Sequence, residues 1–187
     1  MKFGLSLITT LIFLMNTANA AFMFDTMSGF TTTSDSKTTT DTSDVTNHLF
    51  IGASLGARQR TFIGQNVTFF THQVKKTTTD KVSTLELGPR VTWFFNDENV
   101  FYVSLGWNPY AKGTRTINGT TEDISGFSLL GSLGAEVKIN KNFHIGGSLN
   151  YHSLKISKAI SAANVATSVS DTYNSMMPML NLSFRFR

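Results

Sequence analysis

Two histidines, His144 and His152, stand eight residues apart in "FHIGGSLNYHS", with Ser148 midway between them and Ser132 and Glu136 in the segment just before. A histidine base, a serine nucleophile and a carboxylate that orients the imidazole are the parts of a hydrolase. In an extended chain, residues of equal parity share a face, so His144, Ser148 and His152 line one side of one strand. The competing use of the same residues is hydrogen bonding inside a polar interior, and the chemistry depends on whether that face meets a substrate. The four histidines, His48, His72, His144 and His152, show no metal-ligand spacing, since the nearest pair is eight residues apart. The chain has no cysteine, which removes thiolate ligands, thiolate nucleophiles and disulfides. No metal and no cofactor is expected.

The elements that would position these residues are extended. In "HLFIGASLGARQR", Leu49, Ile51, Ala53, Leu55 and Ala57 share one face, opposite Phe50, Gly52, Ser54, Gly56, Arg58 and Arg60. The same period of two recurs in "TLELGPRVTWFF", "FYVSLGWNPYA", "FSLLGSLGAEVKI", "FHIGGSLNYHS" and "MMPMLNLSFRFR", which makes six strands with one greasy and one polar face. "NDEN" after Phe95 and "NKN" after Ile139 are short polar turns. Thr61 to Val82, Lys112 to Gly126 and Ser157 to Asn174 are read as long links. Short connections on one side and long ones on the other describe an up-and-down meander of the transmembrane barrel type. Pro89 and Pro178 each remove a ladder donor and should mark an edge, a bulge or a strand end.

The first residues, "MKFGLSLITTLIFLMNTANA", combine one lysine, an apolar run from Phe3 to Met15 and a polar stretch ending Ala18-Asn19-Ala20. This is the form of a secretory signal, expected over 1–20 with cleavage after Ala20. The apolar run is shorter than the roughly 20 residues that a spanning helix needs. Without Lys2 the chain holds 15 basic and 12 acidic residues, or +3. The pI of about 9.4 would admit nucleic acid, but export and the scattering of Lys and Arg argue against it. Residues 21–46 run from an aromatic cluster into a Thr/Ser/Asp tract, read either as a polar lead-in or as a weak first hairpin with Phe22, Phe24 and Phe30 on its first arm. Residues 47–187 are read as the barrel.

Alternation alone does not say which face meets lipid, because a soluble lipocalin-like barrel alternates too. The polar face is mostly Gly, Ser, Thr and Asn with a few charges of both signs: Glu86 and Glu136 against Arg58, Arg90, Lys138 and Arg185. That composition suits a narrow lumen in which buried charges pair. The apolar face carries two aromatic belts. Trp93, Phe95, Phe101, Phe143, Phe184 and Phe186 lie toward the short turns, and Trp107, Phe127 and Tyr151 toward the long links. Aromatic rings collect at both membrane interfaces, so this face is assigned to lipid.

With its leader, dyad strands, "LELGPRVTWFF" and a last strand containing Phe184 and Phe186, the sequence resembles the small outer-membrane β-barrel superfamily of Gram-negative bacteria, the OmpA/OmpX-like and opacity-type barrels. The resemblance implies an all-β, antiparallel up-and-down barrel of eight strands in the outer membrane. The two further strands would come from Ala21 to Asn47 or from structure hidden in "FIGQNVTFFTHQVKK"; completion of a larger barrel by oligomerisation is a third route. It also implies that Phe184 and Phe186 belong to an assembly signal, although this chain ends in Arg187 rather than an aromatic residue. Arg185 would point into the lumen and Arg187 into periplasmic water. The expected partners are outer-membrane lipid and lipopolysaccharide, the assembly machinery during biogenesis, and a surface partner reached through the loops. The expected function is structural or surface-interacting, with a plugged lumen and no enzymatic activity. A lipid-modifying enzyme or a small-solute channel on the same scaffold is the alternative. "YHSLKIS" departs from the His-x-Ser-Asn arrangement of the lipid A deacylases, because Ser153 follows His152 directly.

Overall fold

A computed structural model describes residues 20–186, apart from 36–39, 57, 77, 97, 99 and 162. The leader expected over 1–20 and the final Arg187 lie outside the described residues, save for Ala20. Eight strands follow one another: β1 (Phe22–Asp35), β2 (Thr40–Leu55), β3 (Thr61–Lys75), β4 (Thr79–Phe94), β5 (Phe101–Ile117), β6 (Thr120–Lys138), β7 (Phe143–Ile160) and β8 (Ala166–Phe186). Each pairs antiparallel with its sequence neighbours, and β1 pairs with β8 to close the barrel. Closure gives the backbone of the spanning part ladder partners on both sides, which the bilayer requires of any sheet that crosses it.

The strands beyond the six with clear alternation come one from each proposed source. β1 lies in Ala21 to Asn47, where its lower half faces outward with Phe22 and Phe24 and inward with Met23, Asp25 and Met27, all three fully buried. The Thr/Ser/Asp tract continues β1 upward and pairs it with the start of β2, from Phe30↔Val45 to Asp35↔Thr40. β3 is the segment "TFIGQNVTFFTHQVK". Its period is hard to read because Phe69 faces outward and the adjacent Phe70 inward, so both faces carry aromatic residues.

The links read as long are not loops. Thr61 to Val82 is β3 with the start of β4, Lys112 to Gly126 is the upper part of a β5–β6 hairpin turning at Asn118 and Gly119, and Ser157 to Asn174 is mostly the upper part of β7 and β8. Connections are short at both ends of the barrel. The asymmetry lies in strand length instead: strands of up to 21 residues exceed the roughly 9–11 that span a bilayer, so polar hairpin arms project beyond the upper belt. Thr and Ser keep the backbone extended there, where no lipid penalises a polar outer face.

Two prolines mark irregularities of the sheet. Pro89 sits in the register shift between Leu87 and Arg90, where β4 meets β5. The matching shift of β5 against β6 falls between Asn108 and Ala111, around Pro109 and Tyr110. Pro178 follows the last rung of the β1·β8 ladder, Gly29↔Met179, and so stands at an edge.

The outer face is apolar at mid-height, where Leu105, Leu133, Leu149 and Leu180 are each at least half exposed. If that face meets lipid, Leu133→Arg should lower the unfolding free energy in phospholipid vesicles by about 2–4 kcal/mol. Urea titration followed by tryptophan fluorescence measures it, and an unchanged midpoint would place the leucine away from hydrocarbon.

Candidate functional site

Inward positions of the eight strands fill the lumen in layers. At the lower end, Met23, Met27, Phe50, Phe62, Phe94, Tyr102, Met177 and Met179 form an apolar layer. Two guanidinium groups cross it. Arg90 on β4 donates to Asp25 on β1 at 2.9 Å and lies 5.0 Å from the Phe50 ring centroid. Arg185 on β8 donates to Glu136 on β6 and lies 4.1 Å over the Phe94 ring. Planar guanidinium suits both contacts at once, an ion pair in its plane and an aromatic ring against its face. Tyr102 on β5 accepts a hydrogen bond from Asn181 on β8. Its ring lies against Gly134, where an added Cβ would come within 2.6 Å of the ring, so only glycine admits the tyrosine in this position.

Above this layer the lumen is polar. The Glu86 carboxylate accepts from Thr84 at 2.7 Å, from Ser128, from Asn108 at 3.3 Å, and meets His152 Nε2 at 2.9 Å. His48 Nδ1 is 2.8 Å from the Thr68 hydroxyl, and Asn66 donates to that same hydroxyl at 2.7 Å. Asn150 donates to Ser132 at 2.7 Å and Ser148 to Asn181 at 3.1 Å. The space left among His48, Asn66, Arg90, Ser104, Leu130, Ser132 and Asn150 is smaller than a water molecule.

A second apolar layer caps the polar one: Phe70, Val82, Ala111, Ile124, Leu154, Ile156 and Ala159, with Val169 and Tyr173 against it. Over it stands a charged mouth. Arg115 bridges Glu122, at 2.7 Å, and Asp171, while His72 Nδ1 meets Asp44 at 2.6 Å. The hydrogen bond that Arg115 donates to the Glu122 carboxylate holds its guanidinium above its ordinary pKa. Burial, followed by the charge of Asp171, pushes the Tyr173 phenol up.

Four of the six residues expected in an interior charge network lie inside: Glu86, Glu136, Arg90 and Arg185. They do not form one network. Arg185 takes Glu136, Arg90 takes Asp25, and Glu86 takes His152. Arg58 and Lys138 are outside the lumen. Arg58 lies three residues past Leu55, the last residue of β2, and is exposed in the turn; Lys138 has inward parity but is the last residue of β6, past the lower rim, and is exposed. Asp25 is the residue most easily missed, because it falls in the segment dominated by Thr and Ser; its signal is burial-type spacing between Met23 and Met27.

The hydrolase parts are not assembled. Ser132 is bonded to Asn150, Ser148 to Asn181 and Ser128 to Glu86, so none of these hydroxyls is engaged by a histidine. His144 sits near the lower rim, two rungs of equal parity below Ser148. Belt residues Trp93, Phe95, Phe101, Trp107, Phe127 and Tyr151 are all outward and exposed, and Phe143 is half-buried beside them. Phe184 packs between Phe143, at 4.9 Å, and Phe24, at 6.4 Å, and Phe186 is outward one rung lower. Phe22, Phe24, Phe30, Phe69 and Tyr110 extend the belts beyond the residues readable from alternation.

Residues 10–186 match the family described as outer membrane protein beta-barrel domain. Among solved structures, Neisserial surface protein A aligns over 90% of this chain and 97% of its own, at 12% identity and a TM-score of 0.50. The β domain of the Bordetella autotransporter BrkA covers 90% and 98% at 8% identity and a TM-score of 0.48. The translocator domain of autotransporter NalP from Neisseria meningitidis covers 98% and 68% at 17% identity and a TM-score of 0.40. A search of curated proteins returned no match.

Ion pairs that join opposite walls make one sharp expectation. Asp25→Ala leaves the Arg90 guanidinium buried without its partner and should cost about 3–5 kcal/mol, whereas the double variant D25A/R90M should recover most of that loss. Urea unfolding of the folded barrel in vesicles reads both. Equal losses in the single and double variants would mean that Asp25 acts through packing alone.

Proposed function

The chain belongs to the outer membrane protein beta-barrel domain family and is a protein of the cell outer membrane, and from that premise we propose that it is a closed, non-enzymatic anchor that presents its polar hairpin arms at the cell surface. The observation that supports this reading is the lumen. Two apolar layers lie above and below the Glu86 centre, and the carboxylate is fully buried with its oxygens bonded to protein groups. An eight-strand interior is just wide enough for side chains to fill it. A solute would have to displace both layers and break the Arg90–Asp25 and Arg185–Glu136 pairs, and a substrate would face the same barriers.

Strand arms that project beyond the aromatic belt at one end, against turns that follow the belt directly at the other, support an orientation with the hairpins outside. The tips carry Thr, Asn, Asp and Lys, a surface suited to polar partners. At the opposite end, the outward strip of Phe184 and Phe186 on β8 serves the outer-membrane assembly machinery during insertion.

Two measurements test this. An epitope inserted at Asn118–Gly119 should be labelled by antibody on intact cells, whereas one inserted at Asn140–Lys141 should be labelled only after permeabilisation. The wild-type protein in planar bilayers should show no discrete conductance steps; reproducible steps would replace the anchor with a channel.

A further inference from the structure

Two of the strand irregularities in the upper half of the barrel turn a lysine outward. On β5, the extra residue around Pro109 and Tyr110 reverses parity, so that Ala111 and Arg115 face inward and Lys112 outward. Without it, Lys112 would have the inward parity of Ser104 and Asn108. On β7, Ser157 is skipped between Ile156 and Lys158, and Lys158 is exposed where uninterrupted alternation from His152 and Leu154 would bury it. Bulges re-aim side chains and are treated as selected features of a sheet. The two meet at one place: Lys112 on β5 pairs with Ser125 on β6, and Ser125 pairs with Lys158 on β7. Two strand spacings, about 10 Å, separate the lysine backbones, within reach of one phosphate for side chains of this length. Lys155, outward and paired with Phe127, lies one rung of equal parity below the row, and Lys112 Nζ is 5.2 Å from the Tyr110 ring centroid.

Lower on the outer face, one strand over, on β4 and on the β5 and β6 that it shares with the row, is an apolar groove of about 460 Å³ lined by Pro89, Val91, Leu105, Gly106, Trp107, Leu129 and Leu130. Its floor is formed by Gly106 and Leu130, both of inward parity, beside the irregular β4·β5 pairing. Trp107 and Phe127 flank it at the level of the upper belt. One ligand chemistry matches a cationic row standing over an apolar groove at a membrane interface: a phosphorylated headgroup with an acyl chain attached. Asp123, exposed one rung above Ser125, is the carboxylate of β6 nearest the row; Glu122 and Asp171 are held by Arg115. Asp123 therefore bounds the phosphate position from above.

We propose that Lys112, Lys155 and Lys158 with Ser125 bind the phosphate of one phosphorylated, acylated glycolipid of the outer leaflet, and that an acyl chain of the same molecule lies in the Pro89–Trp107–Leu129 groove. The choice of the outer leaflet rests on the hairpins-outside orientation proposed above; the site itself does not.

The test is native mass spectrometry of the folded full-length barrel released from detergent, with purified bisphosphorylated lipid A, the same lipid stripped of its phosphates, and phosphatidylglycerol as probes. Wild-type protein should retain one bisphosphorylated lipid A and lose it when the phosphates are removed. K112Q/K155Q/K158Q should weaken retention roughly a hundredfold, since each lysine at an anionic headgroup surface is worth about fivefold, whereas K75Q/K76Q/K81Q, which removes three other upper-rim lysines, should bind as wild type. Val91→Trp, which fills the groove and leaves the lysines in place, should reduce retention as well. Heat-dependent gel migration checks that each variant is folded. Equal retention of the dephosphorylated lipid by wild-type protein would overturn the proposal whatever the variants do. Tighter binding of phosphatidylglycerol than of lipid A would also overturn it. Failure of the epitope experiment with lipid A binding intact would overturn the orientation alone.

Discussion

An outer membrane offers a backbone no water to bond with, so every strand in the hydrocarbon needs a ladder partner on each side. For this chain that condition is met by the β1·β8 seam, where Phe22↔Phe186 through Gly29↔Met179 join the first strand to the last. The seam is the shortest ladder in the ring and it ends at Pro178, which has no donor to continue it. Below that point the rungs are flanked by Phe24, Phe143 and Phe184, whose packed rings seat the joint at the lower membrane interface. The remaining features presuppose closure, since only a closed ring has a lumen to fill and an uninterrupted outer face to present to lipid.

Filling that lumen raises a second constraint. Eight strands enclose a narrow space, and the inward positions must occupy it without leaving a charge alone. The solution combines contacts between far walls with apolar layers: β1 to β4 through Asp25 and Arg90, β4 to β7 through Glu86 and His152, β5 to β8 through Tyr102 and Asn181. Each guanidinium also rests on a phenylalanine ring. Such pairs are weak sources of net stability, because desolvation offsets much of the attraction, but they are intolerant of losing one partner. They therefore act as registry devices that hold opposite walls at a set distance. Among the described residues the same packing fills the lumen with two apolar layers and a polar centre, which directs attention to the outer face and the rims. There the sheet departs from regularity, and its bulges at Pro109–Tyr110 and Ser157 change which side chains meet the membrane surface.

Alternation of apolar and polar residues is a local property that depends on no partner, and so the six strands with a lipid face were legible, as were the belts at Trp93, Phe101, Trp107 and Tyr151. It failed where its physical basis failed. The upper arms lie beyond the hydrocarbon and have no reason to be apolar outside, so Lys112 to Gly126 and Ser157 to Asn174 read as loops although they are strand. In β3 the neighbouring Phe69 and Phe70 put aromatic residues on both faces and masked the period. Tyr110 has the parity of Ser104 and Asn108 yet faces outward, because one extra residue reverses every side chain beyond it.

Composition and periodicity by themselves pointed to an all-β barrel with a greasy exterior, a polar interior in which Glu86, Glu136, Arg58, Arg90, Lys138 and Arg185 were all expected, and aromatic rings at two interfaces, because each of these is enforced by the solvent on one side of a strand. Only the tertiary structure decided that Arg90 meets Asp25, 65 residues away, that Glu86 meets His152 rather than an arginine, that Arg58 and Lys138 lie past the rim, and that Lys112 and Lys158 flank Ser125. Those relations depend on closure, on ladder register and on two bulges, and each of these is a property of paired strands rather than of any one stretch of chain.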